Sequence, residues 1–280
     1  MNQKERVTYL IQYLENEMPE YKNAKVPEDA QEAFNLFRAL CNVRMPGPVS
    51  GEFLQIQDEY LQEETARKGI TDIGNLKPVP ADSRIFLWQG DITTLRCDAI
   101  VNAANSQMLG CFRPLHNCID NMENTYAGVQ LRNYMEEQME QKRREYGADY
   151  EQPIAVPMIS PAFNLPSKHI VHVVGPIVSP FLIQKHEDQL AECYRASLDL
   201  AAKNGCENIA FCCISTGVFM FPQDKAAQIA VKTVKEWLDA HPDSCMKKVI
   251  FNVFKDSDLT IYEKLLGTAD REARGFKRIR

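Results

Sequence analysis

Two thiols and one imidazole lie close together near the middle of the chain, at Cys111, His116 and Cys118. Zinc prefers thiolate and imidazole ligands, and three protein ligands leave a fourth position for water or a substrate. Pro114 favours a loop here, and in an extended loop His116 and Cys118 point the same way. The spacing predicts an open zinc site. A closed structural zinc site with a fourth ligand and a loop without metal are the alternatives.

A carboxylate follows this cluster directly. Asp120 stands where a helix is predicted to begin, so its charge is favourable at the N-terminal end of the helix dipole and it can cap the first turn. Beside a metal, the same carboxylate can orient a water or a ribose hydroxyl. The two roles are compatible.

Three further polar segments follow predicted strands. Asp91 can accept the exocyclic amine of an adenine, or simply cap a turn. Asn102 and Asn105 offer donors and acceptors to ribose hydroxyls, or form a polar turn. Residues 215–222 form a Gly-containing turn whose N–H groups can wrap a pyrophosphate. This turn matches neither the Walker A pattern nor G-x-G-x-x-G, which argues against an ordinary nucleoside triphosphatase or dinucleotide-dependent dehydrogenase.

The elements that must position these residues change character along the chain. Residues 1–82 show apolar positions at helical spacing and end in a proline-containing linker, 76–83, which predicts a helical extension. Between residues 83 and 266, short apolar runs alternate with helical segments. The predicted strands span 84–89, 99–103, 169–174, 208–215 and 248–254, and the predicted helices span 119–144, 187–203, 223–240 and 257–266.

This alternation predicts an α/β fold with a mixed, largely parallel sheet sandwiched by helices. In such sheets ligands bind beyond the carboxyl ends of the strands, where the polar segments lie. His169 and His172 lie within a predicted strand and are interpreted as structural. The N-terminal helices are expected either to cover the mouth of the site and select targets or to complete the core.

The whole-chain properties limit the classes of partner. The chain has 280 residues and a formal charge of −6, which argues against a nucleic-acid partner. No apolar stretch approaches a membrane span, and the first residues lack a signal-peptide core, so a cytoplasmic protein is expected. The nine cysteines are scattered and odd in number, and in a cytoplasmic chain a thiol cluster is more often metal-binding or catalytic than cross-linked. The basic tail, 267–280, is predicted to be a solvated end.

Taken together, these segments resemble the macrodomain family, whose members bind ADP-ribose. The resemblance extends from Arg84 to about Leu266. The motifs that carry it are Gly90-Asp-Ile-Thr, Asp98-Ala-Ile-Val-Asn-Ala-Ala-Asn-Ser, Ala127-Gly128, Leu165 to Pro176, and Ser215-Thr-Gly. The resemblance implies a macrodomain-like sheet and an ADP-ribose ligand.

One loop of this chain resembles the corresponding loop of a particular branch of this family. Most macrodomains carry a Gly-rich loop after Asn-Ala-Ala-Asn-Ser, whereas this chain has Met108 to Asp120. The zinc-dependent branch shares that replacement and has an N-terminal helical extension. Its members remove ADP-ribose from modified proteins, particularly from acidic side chains. Some bacterial members accompany a sirtuin-type ADP-ribosyltransferase and a lipoyl-carrier protein.

The resemblance therefore implies a Zn²⁺-dependent hydrolase that removes mono-ADP-ribose from proteins modified at Asp or Glu. A non-catalytic ADP-ribose reader and an O-acetyl-ADP-ribose deacetylase are the alternatives. A reader would bind the same ligand without turning it over, and a deacetylase would cut a different bond in the same pocket.

The resemblance also assigns roles by position. Asp91 and the Ile92 backbone would bind adenine, and Asn105 and Asp120 are the predicted catalytic residues at the distal ribose. The zinc ligands would be Cys111, His116 and Cys118. The further contacts beside the distal ribose would be Cys118, Ile119, Asp120 and Asn121. The phosphates would be bound by Ser215, Thr216, Gly217, Val218 and Phe219. The chain departs from the family pattern at Glu123-Asn124, where an apolar residue and His are common, and at Met220, where Gly is common.

Overall fold

The computed structural model describes residues 1–22 and 25–268. The helices are α1 Gln3–Glu17, α2 Ala30–Val43, α3 Gly51–Lys68, α4 Ile119–Ala127, α5 Val129–Tyr146, α6 Gln184–Lys203, α7 Gln223–Ala240 and α8 Asp256–Leu266. The strands are β1 Thr71–Asp72, β2 Pro78–Val79, β3 Asp82–Gln89, β4 Leu95–Arg96, β5 Ala99–Ala104, β6 Met158–Pro161, β7 His169–Val174, β8 Asn208–Phe211 and β9 Lys248–Val253.

Seven strands form one mixed sheet in the order β2-β3-β9-β8-β5-β7-β6. The five central strands are parallel, and β2 and β6 pair antiparallel at the two edges. Val101 of β5 lies opposite Val171 of β7 and Phe211 of β8, and all three are buried. Continuous apolar strands of this kind occur in parallel sheets covered on both faces. Helices α4 to α8 flank the sheet, which confirms the predicted fold class.

Helix α1 packs against α2 and α3, and both α2 and α3 pack against α4. The apolar stripe of α1, which includes Leu10, Ile11 and Leu14, is fully buried. The ring of Phe34 on α2 lies 5.5 Å from the ring of Tyr126 on α4. The extension therefore completes the hydrophobic core.

Several elements differ from their predicted bounds. The single helix predicted over 119–144 is two helices, because Gly128 adopts φ 96° and a Cβ there would meet the side chains of Gln57 and Gln130 at 2.6 Å. The strand predicted over 208–215 ends at Phe211, and the chain then turns into a left-handed conformation at Ser215, φ 65°.

Two edge strands escaped prediction because each is short and has a proline at one end. β6 is antiparallel to β7, and β2 lies within the segment interpreted as a linker, where Val79 is buried against β3. The predicted basic tail lies outside the described residues except for Gly267 and Thr268. Among the helices that the structure describes, none combines the length and the hydropathy that a membrane crossing requires.

Candidate functional site

The carboxyl ends of the five parallel strands meet at one edge of the sheet, and most of the predicted site residues follow them. Asp91 comes after β3, Asn105 after β5 and Ser215 after β8. The loop after β7 touches the loop after β8, since a Cβ added to Gly175 would lie 2.1 Å from Ser215 Oγ. The topology therefore gathers segments that lie far apart in the sequence, as expected for parallel sheets.

The predicted metal ligands come together in the structure. The Sγ atoms of Cys111 and Cys118 and a ring nitrogen of His116 all lie within 4.8 Å of one another. His116 Nδ1 is 3.5 Å from Cys111 Sγ. All three side chains are partly buried in a loop without helix or strand, here called the metal loop, residues 109–118. Two thiols and an imidazole at this separation are a donor set that fits zinc.

Cys118 also begins helix α4. Its Sγ accepts the backbone N–H of Asn121 at 3.4 Å, so the N-cap is Cys118 and not the predicted Asp120. Burial is the largest influence on the thiol and, with the adjacent Cys111 and Asp120, raises the pKa of Cys118 to about 12. The thiol therefore keeps its proton at neutral pH, and a metal bound there would have to displace that proton.

The carboxyl group of Asp120 is enclosed by three asparagine amides. Its Oδ1 accepts Nδ2–H groups from Asn102 at 2.8 Å and Asn124 at 3.2 Å, and its Oδ2 accepts one from Asn105 at 3.3 Å. Burial raises the pKa of Asp120 to about 6, against the opposing effects of Asn102 and Arg132. At pH 7 the ionised form therefore predominates, and it is available as a hydrogen-bond acceptor.

Asn102 supports Asp120 from within the sheet. It is 1% exposed, and its Nδ2 also lies 3.1 Å from Nδ1 of His172. Burial lowers the pKa of His172 to about 3, so the ring is neutral; it accepts at Nδ1 and donates from Nε2 to Ser160 Oγ, 2.9 Å away. Asn102 thus orients Asp120 instead of meeting a ribose, and His172 has the predicted structural role.

Asp91 is fixed by the turn that follows it and by the N-terminal extension. Its Oδ1 accepts the N–H and the hydroxyl of Thr93 at 3.0 and 2.6 Å, and its Oδ2 accepts Nζ–H of Lys68 at 2.6 Å. Burial raises the pKa of Asp91, but Lys68 and Thr93 together hold it below its ordinary value. The Ile92 side chain is buried, which leaves its backbone as the part that can meet a ligand.

The loop after β8 presents backbone donors. Ser215 and Met220 have positive φ angles of 65° and 56°, and Ser215 O accepts the N–H of Phe221. Within residues 1–22 and 25–268, the N–H groups of Gly217, Val218 and Phe219 have no acceptor in the protein. This leaves them free to bind an anion, as in other anion-binding turns. Met220 occupies a left-handed conformation that glycine adopts more easily, which explains why Gly is common there.

Two arginines that fasten the metal loop were not predicted as site residues. Arg132 Nε donates to Leu109 O at 2.7 Å, and Arg38 Nη2 donates to His116 O at 2.8 Å. One signal was present for Arg38, because it shares a helical face with Phe34 and Cys41. A charged residue within an apolar stripe is rarely buried without a partner.

Comparisons with known proteins identify the family of this chain. Residues 101–230 match the model of the Macro domain. The chain is 50% identical to a protein-ADP-ribose hydrolase of Treponema medium over 95% of this chain and 100% of the relative. It is 44% identical to a protein-ADP-ribose hydrolase of Staphylococcus aureus (strain MSSA476) over 93% and 95%.

A solved structure shares the fold. The Trypanosoma brucei macrodomain in complex with ADP-ribose superposes with a TM-score of 0.61 at 27% identity, over 82% of this chain and 95% of that one. The identity of this chain to the two hydrolases, over nearly its whole length, determines its family. The chain belongs to the macro domain family.

Proposed function

We propose that this protein is a zinc-dependent hydrolase that removes mono-ADP-ribose from aspartate or glutamate side chains of modified proteins. The observation that carries the proposal is the cluster of Cys111, His116 and Cys118 donor atoms, close enough to the Asp120 carboxyl group for its charge to act on Cys118. Relatives that are 44–50% identical over nearly the whole chain bear the name protein-ADP-ribose hydrolase.

The proposed ligand lies along the carboxyl edge of the sheet. Asp91 accepts the adenine amine, and the Ile92 backbone binds the same ring. The N–H groups of the turn from Ser215 to Phe219 bind the two phosphates. Asn105 and residues 118–121 then surround the distal ribose, which carries the bond to the modified protein. This arrangement brings the reacting end of the ligand to the metal loop.

At that end, Asp120 is the proposed acid–base group. Its ionised form predominates at neutral pH and is held by three amide donors, so it can accept a hydrogen bond from a water or a ribose hydroxyl and orient it. The Asn105 side chain donates a hydrogen bond to Asp120, which holds it next to that carboxyl group. Zinc, when bound by the two thiolates and the imidazole, supplies Lewis acidity.

The proposed partners follow from the substrate. The modified protein is the partner, and a lipoyl-carrier protein modified by a sirtuin-type transferase is the proposed physiological example, in the cytoplasm. The chain carries a formal charge of −6, which opposes a nucleic-acid partner.

The test measures release of free ADP-ribose from a glutamate-modified protein before and after metal removal, with zinc then restored. Cys118→Ala is expected to lose zinc and turnover while keeping much of its ADP-ribose affinity. Cys245→Ala is the matched control, because Cys245 is an equally half-buried thiol that bonds to carbonyls of Ala202 and Cys206. Undiminished turnover by the Cys118 variant would refute the role of the metal.

Two other outcomes would replace the proposal. Zinc-loaded protein that binds ADP-ribose and releases none would identify a reader. Protein that cleaves O-acetyl-ADP-ribose but not the modified protein would identify a deacetylase.

A further inference from the structure

The metal loop is held by the N-terminal extension as well as by the sheet domain. Arg38 lies on α2 and is 8% exposed. Its Nε and Nη2 both donate to Asn121 Oδ1, at 2.9 and 2.8 Å, and Nη2 also donates to His116 O at 2.8 Å. One guanidinium therefore connects the extension to the backbone of a proposed zinc ligand.

Asn121, which is held by Arg38, in turn contacts two other residues of the metal loop. Its Nδ2 donates to Arg113 O at 3.0 Å, and its backbone N–H donates to Cys118 Sγ at 3.4 Å. Because Arg38 occupies the amide oxygen, the amide nitrogen must face Arg113. Arg38 thus fixes His116 directly, and it fixes both Arg113 and the turn at Cys118 through Asn121.

A second residue of α2 holds the same stretch. Asn42 Oδ1 accepts the backbone N–H of Leu115 at 3.0 Å, and Leu115 has a positive φ of 55°. A non-glycine residue in that conformation persists when its surroundings restrain it. Both contacts of α2 fall between Cys111 and Cys118, where free loop motion would separate the donor atoms.

We propose that Arg38 is a positioning residue for the metal centre: it sets the separation of the three donor atoms before metal binds, so zinc affinity depends on the N-terminal extension. The inference rests on the proposed zinc site. A planar guanidinium presents several donors in a fixed fork, whereas a lysine ammonium is a single point with a flexible stem. Arg38 is therefore not replaceable by another cation.

The test compares zinc affinities of full-length variants by competition with a chromophoric chelator. Arg38→Met keeps the apolar stem and removes the donors; its zinc dissociation constant is expected to rise by about 10- to 100-fold, the usual effect of losing an outer-shell partner. Arg38→Lys is expected to lose affinity as well, because one ammonium cannot bridge Asn121 and His116. Arg6→Met is the matched control, since Arg6 pairs with Glu59 and Glu63 inside the extension.

A second readout separates positioning from general destabilisation. Cobalt(II) in the wild-type site is expected to give the absorption of a tetrahedral thiolate centre, and the Arg38 variants to give a weaker and shifted spectrum at saturating metal. Folded Arg38→Met or Arg38→Lys with wild-type zinc affinity and an unchanged cobalt spectrum would overturn the inference and leave the zinc site standing. Wild-type protein that binds no zinc would instead overturn the proposed function, and this inference with it.

Discussion

Glu123 provides a test of the electrostatics around the site. The side chain is 0% exposed, and in the described part of the chain neither of its oxygens has a hydrogen-bond partner. Burial, and to a lesser extent repulsion from Asp120 and Asp91, raises the pKa of Glu123 well above its ordinary value. The folded protein therefore keeps this proton at pH values where the unfolded chain has lost it. A neutral Glu123 leaves Asp120, one helical turn away, as the ionised carboxyl of α4.

The sign of the pH effect follows from proton linkage. Between the ordinary pKa and the raised one, the folded state binds one more proton at Glu123, so this residue lowers the free energy of unfolding by about 1.4 kcal/mol per pH unit as pH rises. Glu123→Gln has no such proton. Near the ordinary pKa both side chains are uncharged and similar in shape, so the two proteins should differ little there. The stability advantage of the variant should then grow by about 1.4 kcal/mol per pH unit and level off above the raised pKa.

The assay is urea unfolding at closely spaced pH values from about 5 to 8, with a chelator present so that metal binding adds no pH dependence of its own. The raised pKa of Asp120 contributes the same slope to both proteins and cancels in their difference. Glu137→Gln is the control because Glu137 is exposed on α5. A stability difference between Glu123→Gln and wild type that does not change with pH would refute the reasoning, since it would mean that the carboxyl is already ionised in the folded protein across this pH range.

Two further predictions concern ligand binding. Lys68→Met removes the cation that lowers the pKa of Asp91. As the solution is acidified, the ADP-ribose affinity of this variant should therefore fall at a higher pH than that of wild type, which calorimetric titrations across pH check. Lys168→Met, which removes a surface ion pair elsewhere, should leave the pH profile unchanged. Gly175→Ala places a Cβ 2.1 Å from Ser215 Oγ, so it should displace the loop after β8. ADP-ribose binding is then expected to weaken by about tenfold, or 1.4 kcal/mol. A variant with unchanged affinity and melting temperature would show that the loop yields freely.

Local spacing was enough to predict the candidate site residues that are close together in sequence. Cys111, His116 and Cys118 come together because a short loop joins them, and Asp120 follows them at the start of a helix. The positions of Asp91 and Asn105 were predictable for a different reason, since parallel strands carry their following loops to one edge of the sheet. Neither inference required knowledge of how the helices pack.

Contacts made across long stretches of chain were not predictable. Arg38 and Asn121 are 83 positions apart, and Lys68 and Asp91 are 23 apart. The sequence shows only that α2 and α3 have an apolar face, which does not determine what that face meets. The break at Gly128 has a similar origin, because the close approach of Gln57 from α3 adds to the positive φ at this glycine.

The N-terminal extension reaches both ends of the proposed ligand path. Lys68 holds Asp91 at the adenine end, and Arg38 holds His116 at the metal end. Between them, Phe34 packs on Tyr126 of α4, the helix that carries Asp120. Removal of the extension would expose this face of α4 and free the metal loop together. The change of sequence pattern near residue 82 is thus a boundary in composition and not in packing, and substrate binding, metal affinity and core stability are expected to respond jointly to changes in α2 and α3.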